Sequence, residues 1–138
     1  MNESNKFPPN IQEIKRYLNP DENTVYAYGD TLYNPSGKVI PEDTLFHESI
    51  HAQQQKVYTT PAIWWTKYLL DKDFRKDQEV EAYARQYLWL KPYIPARGYQ
   101  AAIEEFSEIL ANPMYNLNIT KYEARTLISL KSKEYATF

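Results

Sequence analysis

Ile11, Ile14, Tyr17 and Leu18 fall on one face of a short helix, with Asn10 as its cap and Asn19-Pro20-Asp21 as its end. Val25-Tyr26-Ala27-Tyr28 is rich in strand formers, and Gly29-Asp30 reads as a turn. Thr31-Leu32-Tyr33 and Lys38-Val39-Ile40 flank a second turn, Asn34-Pro35-Ser36-Gly37, so residues 24–40 predict a small antiparallel sheet of two or three strands. Pro41 and the acidic pair Glu42 and Asp43 open a helix to about Tyr58. Thr60-Pro61 starts a short helix to about Leu70, and Asp73 caps the next one, to about Leu90. Beyond a loop through Pro92, Pro95 and Gly98, Tyr99 to Leu110 is helical and Asn112-Pro113 closes it. Thr120 and Glu123 form a T-x-x-E capping box for a terminal helix to about Tyr135. Residues 1–9, ending in Pro8-Pro9, predict a flexible arm, and residues 10–138 a single domain. The class is α+β, mostly α: a small antiparallel β-sheet, then a central helix over 41–58 and three further helices.

Composition narrows the field of functions. At 138 residues the chain is long enough to bury a core as one domain. Its 16 basic and 18 acidic residues are spread without a basic stripe, which argues against a nucleic-acid partner. No apolar run reaches membrane-spanning length and MNESNKFPPN lacks a signal-peptide core, so the expected location is the cytoplasm, with no membrane partner. With no cysteine, neither a disulfide nor a thiolate metal site is open to the fold. The 13 tyrosines and 3 tryptophans suit either groove walls or the core of a small protein without other staples, and the core is the plainer reading.

The candidate chemistry lies in the helix over 41–58. His47-Glu48-Ser49-Ile50-His51 is an H-E-x-x-H motif, and both histidines of the chain are in it. Positions i and i+4 project one turn apart on the same helix face, so the two imidazoles can close on one Zn²⁺. Glu48 leans to the side of that face, where it can reach a water on the metal instead of the metal itself, as a general base must. The alternative is an ordinary amphipathic helix, anchored by Leu45, Phe46, Ile50 and Val57, whose histidines sit at a core edge. A third ligand from the 73–90 helix could be Glu79 or Glu81. These lie about 200° apart, so one alone can face the histidines, and helix geometry does not choose between them. Their own alternative is a solvated face paired with Arg75, Lys76 and Arg85.

The stretch Thr44 to Ala52 resembles the extended zincin consensus, although Gln53 stands where an apolar residue is usual. Glu79-Val80-Glu81-Ala82-Tyr83 resembles the second helix of gluzincins, E-x-x-A-D or E-x-x-A-N, and that resemblance makes Glu79 the third zinc ligand. Tyr83 then occupies the place of the Asp or Asn that orients a histidine ligand. With no further histidine available, it is also the best candidate to stabilise an oxyanion. The block Tyr28 to Asn34, with the motif, Trp64-Trp65 and Phe74-Arg75, is similar to small phage-encoded proteins of unassigned function. The resemblance covers roughly residues 25–92. It implies a minimal zincin-like fold with zinc on His47, His51 and Glu79, Glu48 and Tyr83 as catalytic groups, and metal-assisted hydrolysis of a protein or peptide substrate. The alternative it leaves is a zinc-stabilised assembly module, such as a virion component. Trp64 and Trp65 read as core and docking surface, and Gln53-Gln54-Gln55 as a solvated helix end.

Overall fold

The computed structural model describes residues 1–136. Its elements are β1 (Asn2–Ser4), α1 (Ile11–Tyr17), β2 (Tyr26–Tyr28), β3 (Thr31–Tyr33), α2 (Glu42–Gln55), α3 (Pro61–Leu70), α4 (Lys72–Leu90), α5 (Ala96–Leu110) and α6 (Lys121–Ala136), with a 3₁₀ turn at Pro113–Tyr115. The class is α+β and mostly α. Four helices follow α2, each at a segment where local signals predict one, so the count of three further helices is one short.

The sheet corrects the sequence reading in two ways. Its order is β1-β3-β2, and β1 runs parallel to β3 while β2 runs antiparallel, so the sheet is mixed. Residues 2–4, expected in a flexible arm, pair with Thr31–Tyr33, and Pro8 is fully buried. Lys38-Val39-Ile40 forms no strand, and Val39 is 97% exposed. The physical reason is that β3 has two edges and both are taken, one by β2 and the other by β1. The Asn34 side chain instead donates to the Lys38 carbonyl at 2.7 Å and closes the turn. Gly29, at φ +62°, makes the tight connection from β2 to β3 in backbone space that side chains rarely occupy.

Helix starts follow local chemistry. Thr60 accepts from the Ile63 N–H ahead of Pro61, as expected. The Thr120 hydroxyl accepts from the Glu123 N–H at 3.0 Å. The cap of α4 is Asp71, which accepts from the Phe74 N–H at 3.0 Å, and Asp73 lies inside the first turn. Asn10 sits at the start of α1, but its side chain makes no capping bond and both of its amide atoms are buried without a partner.

Two aromatic-rich cores result. One joins Ile14, Leu18, Tyr26, Trp64, Trp65, Tyr68 and Leu69 beneath α1, β2 and α3. The other joins Val80, Tyr83, Ala84 and Tyr87 of α4 to Ile103, Phe106 and Leu110 of α5 and to Ala124 and Ile128 of α6. Most of the tryptophans and tyrosines of the α3–α4 region are therefore core, as composition suggested. α4 is the wall common to both, and α2 packs along it. Arg75, which the alternative reading of the glutamates placed on a solvated face, is buried. It donates to four backbone carbonyls (Tyr68, Leu69, Tyr115 and Asn116, at 2.8–3.2 Å), which fastens the 115–116 loop to the end of α3.

Candidate metal centre

Helical spacing on α2 puts His47 and His51 on the face turned towards α4, and Glu79 meets them from α4. All three are buried, Glu79 to 2% exposure. The two Nε2 atoms are 3.1 Å apart. The Glu79 carboxylate straddles them, with Oε1 3.2 Å from His47 Nε2 and Oε2 3.1 Å from His51 Nε2. Among the described residues, this trio is the group of side chains that could hold a metal ion.

The outer nitrogens of both rings are committed. His47 Nδ1 lies 2.8 Å from Gln86 Oε1, and Gln86 Nε2 donates to Asp43 Oδ2 at 2.8 Å. His51 Nδ1 lies 2.7 Å from Gln54 Oε1, while Gln54 Nε2 donates to the Gln78 carbonyl and to Glu81 Oε1, both at 3.0 Å. Because each amide nitrogen already donates to an oxygen, each amide oxygen faces an imidazole, and each imidazole must donate through Nδ1. In the neutral rings both Nε2 lone pairs then point at each other and at a carboxylate. Three acceptors at that distance repel unless a cation lies among them. Their 3.1–3.2 Å separations are close to the ~3.3 Å edge of a tetrahedron with metal–ligand bonds of about 2.0–2.1 Å. The donor set could therefore hold a metal ion.

Without a metal, a proton takes that place. Burial alone would lower the His51 pKa, but the adjacent Glu79 charge, its hydrogen bond and Glu48 push it up to about 9. Burial would raise Glu79, yet the His51 charge and the bonds to both histidines hold its carboxyl far below the ordinary range. Glu48 moves the other way. Burial raises it, and the two histidines and the Ala27 N–H offset this in part.

Glu48, His51, Glu79 and Tyr68 line one cavity of about 60 Å³, whose remaining wall is mainly apolar, from Ile14, Leu18, Trp64, Trp65 and Met114. That volume holds a few water molecules. β2 forms its roof. The Ala27 carbonyl accepts from Gln55 Nε2 at 2.8 Å and Trp65 Nε1 at 3.0 Å, and the Gly29 N–H donates to Gln55 Oε1 at 2.7 Å. The outward polar groups of this edge strand are thus occupied by the protein itself.

Of the residues singled out in the sequence, His47, His51, Glu48 and Glu79 come together here. Glu81 does not face the histidines; it accepts from Gln54, from the Tyr135 hydroxyl at 3.0 Å and from Arg85. Tyr83 packs its ring edgewise on His47, centroids 4.4 Å apart, and its hydroxyl pairs with that of Tyr115 at 2.7 Å. The phenol nearest the carboxylate is Tyr68, which donates to Glu79 Oε2 at 2.5 Å. Tyr68 and the orienting groups Gln54, Gln86 and Asp43 lie outside the motif and the residues that the resemblance assigns to the site. For the glutamines a signal existed: Gln54 lies three residues after His51, and Gln86 lies two turns after Glu79 on the same face. Gln54 and Gln55 are buried, so the expected solvated helix end is confined to Gln53. The chain matches no family model, no curated protein and no solved structure.

Proposed function

We propose that the protein is a zinc-dependent hydrolase of the zincin type acting on peptide bonds, with His47, His51 and Glu79 as metal ligands and Glu48 as general base. One observation carries this reading. Glu48 is a buried carboxylate outside the ligand trio, yet it lines the same cavity as His51 and Glu79. A site built only for stability has no use for such a group. A zinc ion held there supplies Lewis acidity towards a carbonyl and makes nearby water more acidic. The chain's own residues do the rest. Glu48, with an affinity for protons raised by burial, accepts the proton of an attacking water and returns it to the departing amine. Gln54 and Gln86 keep both imidazoles in the ligating tautomer. Tyr68 steadies Glu79, and Tyr83 supports the ring of His47.

A second reading, a zinc-stabilised assembly module, is favoured by the roof of the cavity. Extended substrates usually add to a free strand edge, and here Gln55 and Trp65 occupy the Ala27 carbonyl. The test uses purified full-length protein, metal analysis and a peptide library. A hydrolase should carry about one zinc per chain and turn over substrate, and Glu48→Gln should keep the zinc while losing about 10²-fold or more in rate. An assembly module should show the zinc without turnover. Cleavage that persists undiminished in Glu48→Gln would contradict the role of Glu48.

A further inference from the structure

Glu81 is two residues from Glu79 and turns to the opposite side, where it holds one end of a hydrogen-bonded chain. From the candidate ligand outwards, His51 Nδ1 donates to Gln54 Oε1 at 2.7 Å, Gln54 Nε2 donates to Glu81 Oε1 at 3.0 Å, and the Tyr135 hydroxyl donates to Glu81 Oε2 at 3.0 Å. Tyr135 belongs to the last turn of α6, 54 residues along the chain from Glu81. Its ring is also gripped by Arg85, 5.3 Å from the ring centre, and by Lys131 at 5.9 Å. Arg85 in turn pairs with Glu81 Oε2 at 3.4 Å. Both ends of the Gln54 carboxamide are therefore fully used: its nitrogen donates to the Gln78 carbonyl and to Glu81, and the second of these acceptors is held in place from α6 by Tyr135 and within α4 by Arg85.

We infer that the C-terminal helix tunes metal affinity at the His47/His51/Glu79 site, through a Tyr135–Glu81–Gln54 relay that fixes the orientation of His51. This rests on the metal-site reading given above. Tyr135 and Glu81 are positioning residues: neither touches the ligand atoms. When Tyr135 lets go, Glu81 is free to swing towards Arg85 and solvent. Gln54 is then held at its nitrogen by the Gln78 carbonyl alone, and the bond that keeps His51 Nε2 as the free lone pair is less firmly set. The other histidine has an independent support in Gln86 and Asp43, so the effect should fall on one ligand of three and weaken binding without abolishing it. Outer-shell partners of metal-bound histidines typically account for about 10–100-fold in affinity.

The experiment measures zinc affinity of the full chain by chelator competition, with Co²⁺ absorption as a reporter of ligand geometry. Tyr135→Phe and Glu81→Ala should each weaken zinc binding by about 10-fold and alter the Co²⁺ spectrum. In a Gln54→Ala background, adding Tyr135→Phe should change nothing further, since the relay is already cut. Leu127→Ala loosens the packing of α6 elsewhere. It should lower the melting temperature of the metal-free protein while leaving zinc affinity within about two-fold, which separates the relay from general loss of α6. Unchanged zinc affinity in Tyr135→Phe, alongside loss of binding in His47→Ala, would overturn the relay while sparing the site. So would weakening in Leu127→Ala equal to that in Tyr135→Phe. Absence of zinc binding by the unmodified protein would overturn the site itself, and the relay with it.

Discussion

Each imidazole of the cluster has one nitrogen in use before any ligand arrives. Gln86 and Gln54 accept from the two Nδ1 atoms, and an amide does this at every pH, whereas a carboxylate would add charge to a place that already holds Glu48 and Glu79. With both Nε2 atoms aimed inward, removing either imidazole breaks the set. His47→Ala and His51→Ala should each abolish stoichiometric zinc by metal analysis, and Glu79→Ala should weaken binding far more than Glu81→Ala does. The protonation of the metal-free cluster gives a second expectation. His51 is raised from 6.5 to about 9, so the stability it contributes is complete below pH 6.5 and is lost as pH rises through about 9. Raised Glu48 acts in the same direction, and depressed Glu79 in the opposite one, its contribution being lost as pH falls below the ordinary carboxylate range. Metal-free protein should therefore melt highest in mildly acid solution and lower at pH 9, as followed by circular dichroism. Zinc competes with the same proton, so zinc affinity should rise over that interval.

At the scale of elements, α2 is tied to β2 by one glutamine of three. Gln55 accepts from Gly29 and donates to Ala27 while 2% exposed, whereas Gln53 is exposed. Gln55→Leu should destabilise the fold by about 1–3 kcal/mol in denaturant titration, because it leaves the part-buried Gly29 N–H without this partner and breaks the tie to Ala27. Gln53→Leu should stay within about 0.5 kcal/mol. This contrast also explains what the sequence could and could not disclose. Helices were legible because their signals are local: Thr60-Pro61, Thr120 with Glu123, and the recurrence of Ile11, Ile14 and Leu18. The H-E-x-x-H pair was legible because four residues of helix decide its geometry. Asn2–Ser4 was not, since three polar residues become a strand only when Thr31–Tyr33 offers an edge 29 positions away. Val39 carried the opposite trap, a strand-forming residue with no free edge to join. Glu79 and Glu81 could not be separated by helix phase. Their difference is set by what surrounds them, two histidines for one and Tyr135 with Arg85 for the other.

On the scale of the whole molecule, the cluster lies where two cores meet along α4, covered by β2, α3 and the loop that Arg75 fastens. No helix among the described residues is long and apolar enough to cross a membrane. Metal binding and folding share one interior here, so saturating zinc should raise the melting temperature of the unmodified protein and leave that of the His47→Ala, His51→Ala double variant where it was. The depth of the ligands has a further consequence, in time instead of energy. An ion with its three side-chain ligands 93% or more out of solvent cannot be plucked out by a chelator approaching from outside. It leaves when the protein opens. Stripping by a strong chelator should therefore proceed at a rate that stops rising with chelator concentration, reaching a plateau equal to the rate of opening measured by hydrogen exchange at the amides of α2. Loading obeys the same gate in reverse, so a chain that folds in the presence of zinc should fill faster than one offered zinc after folding.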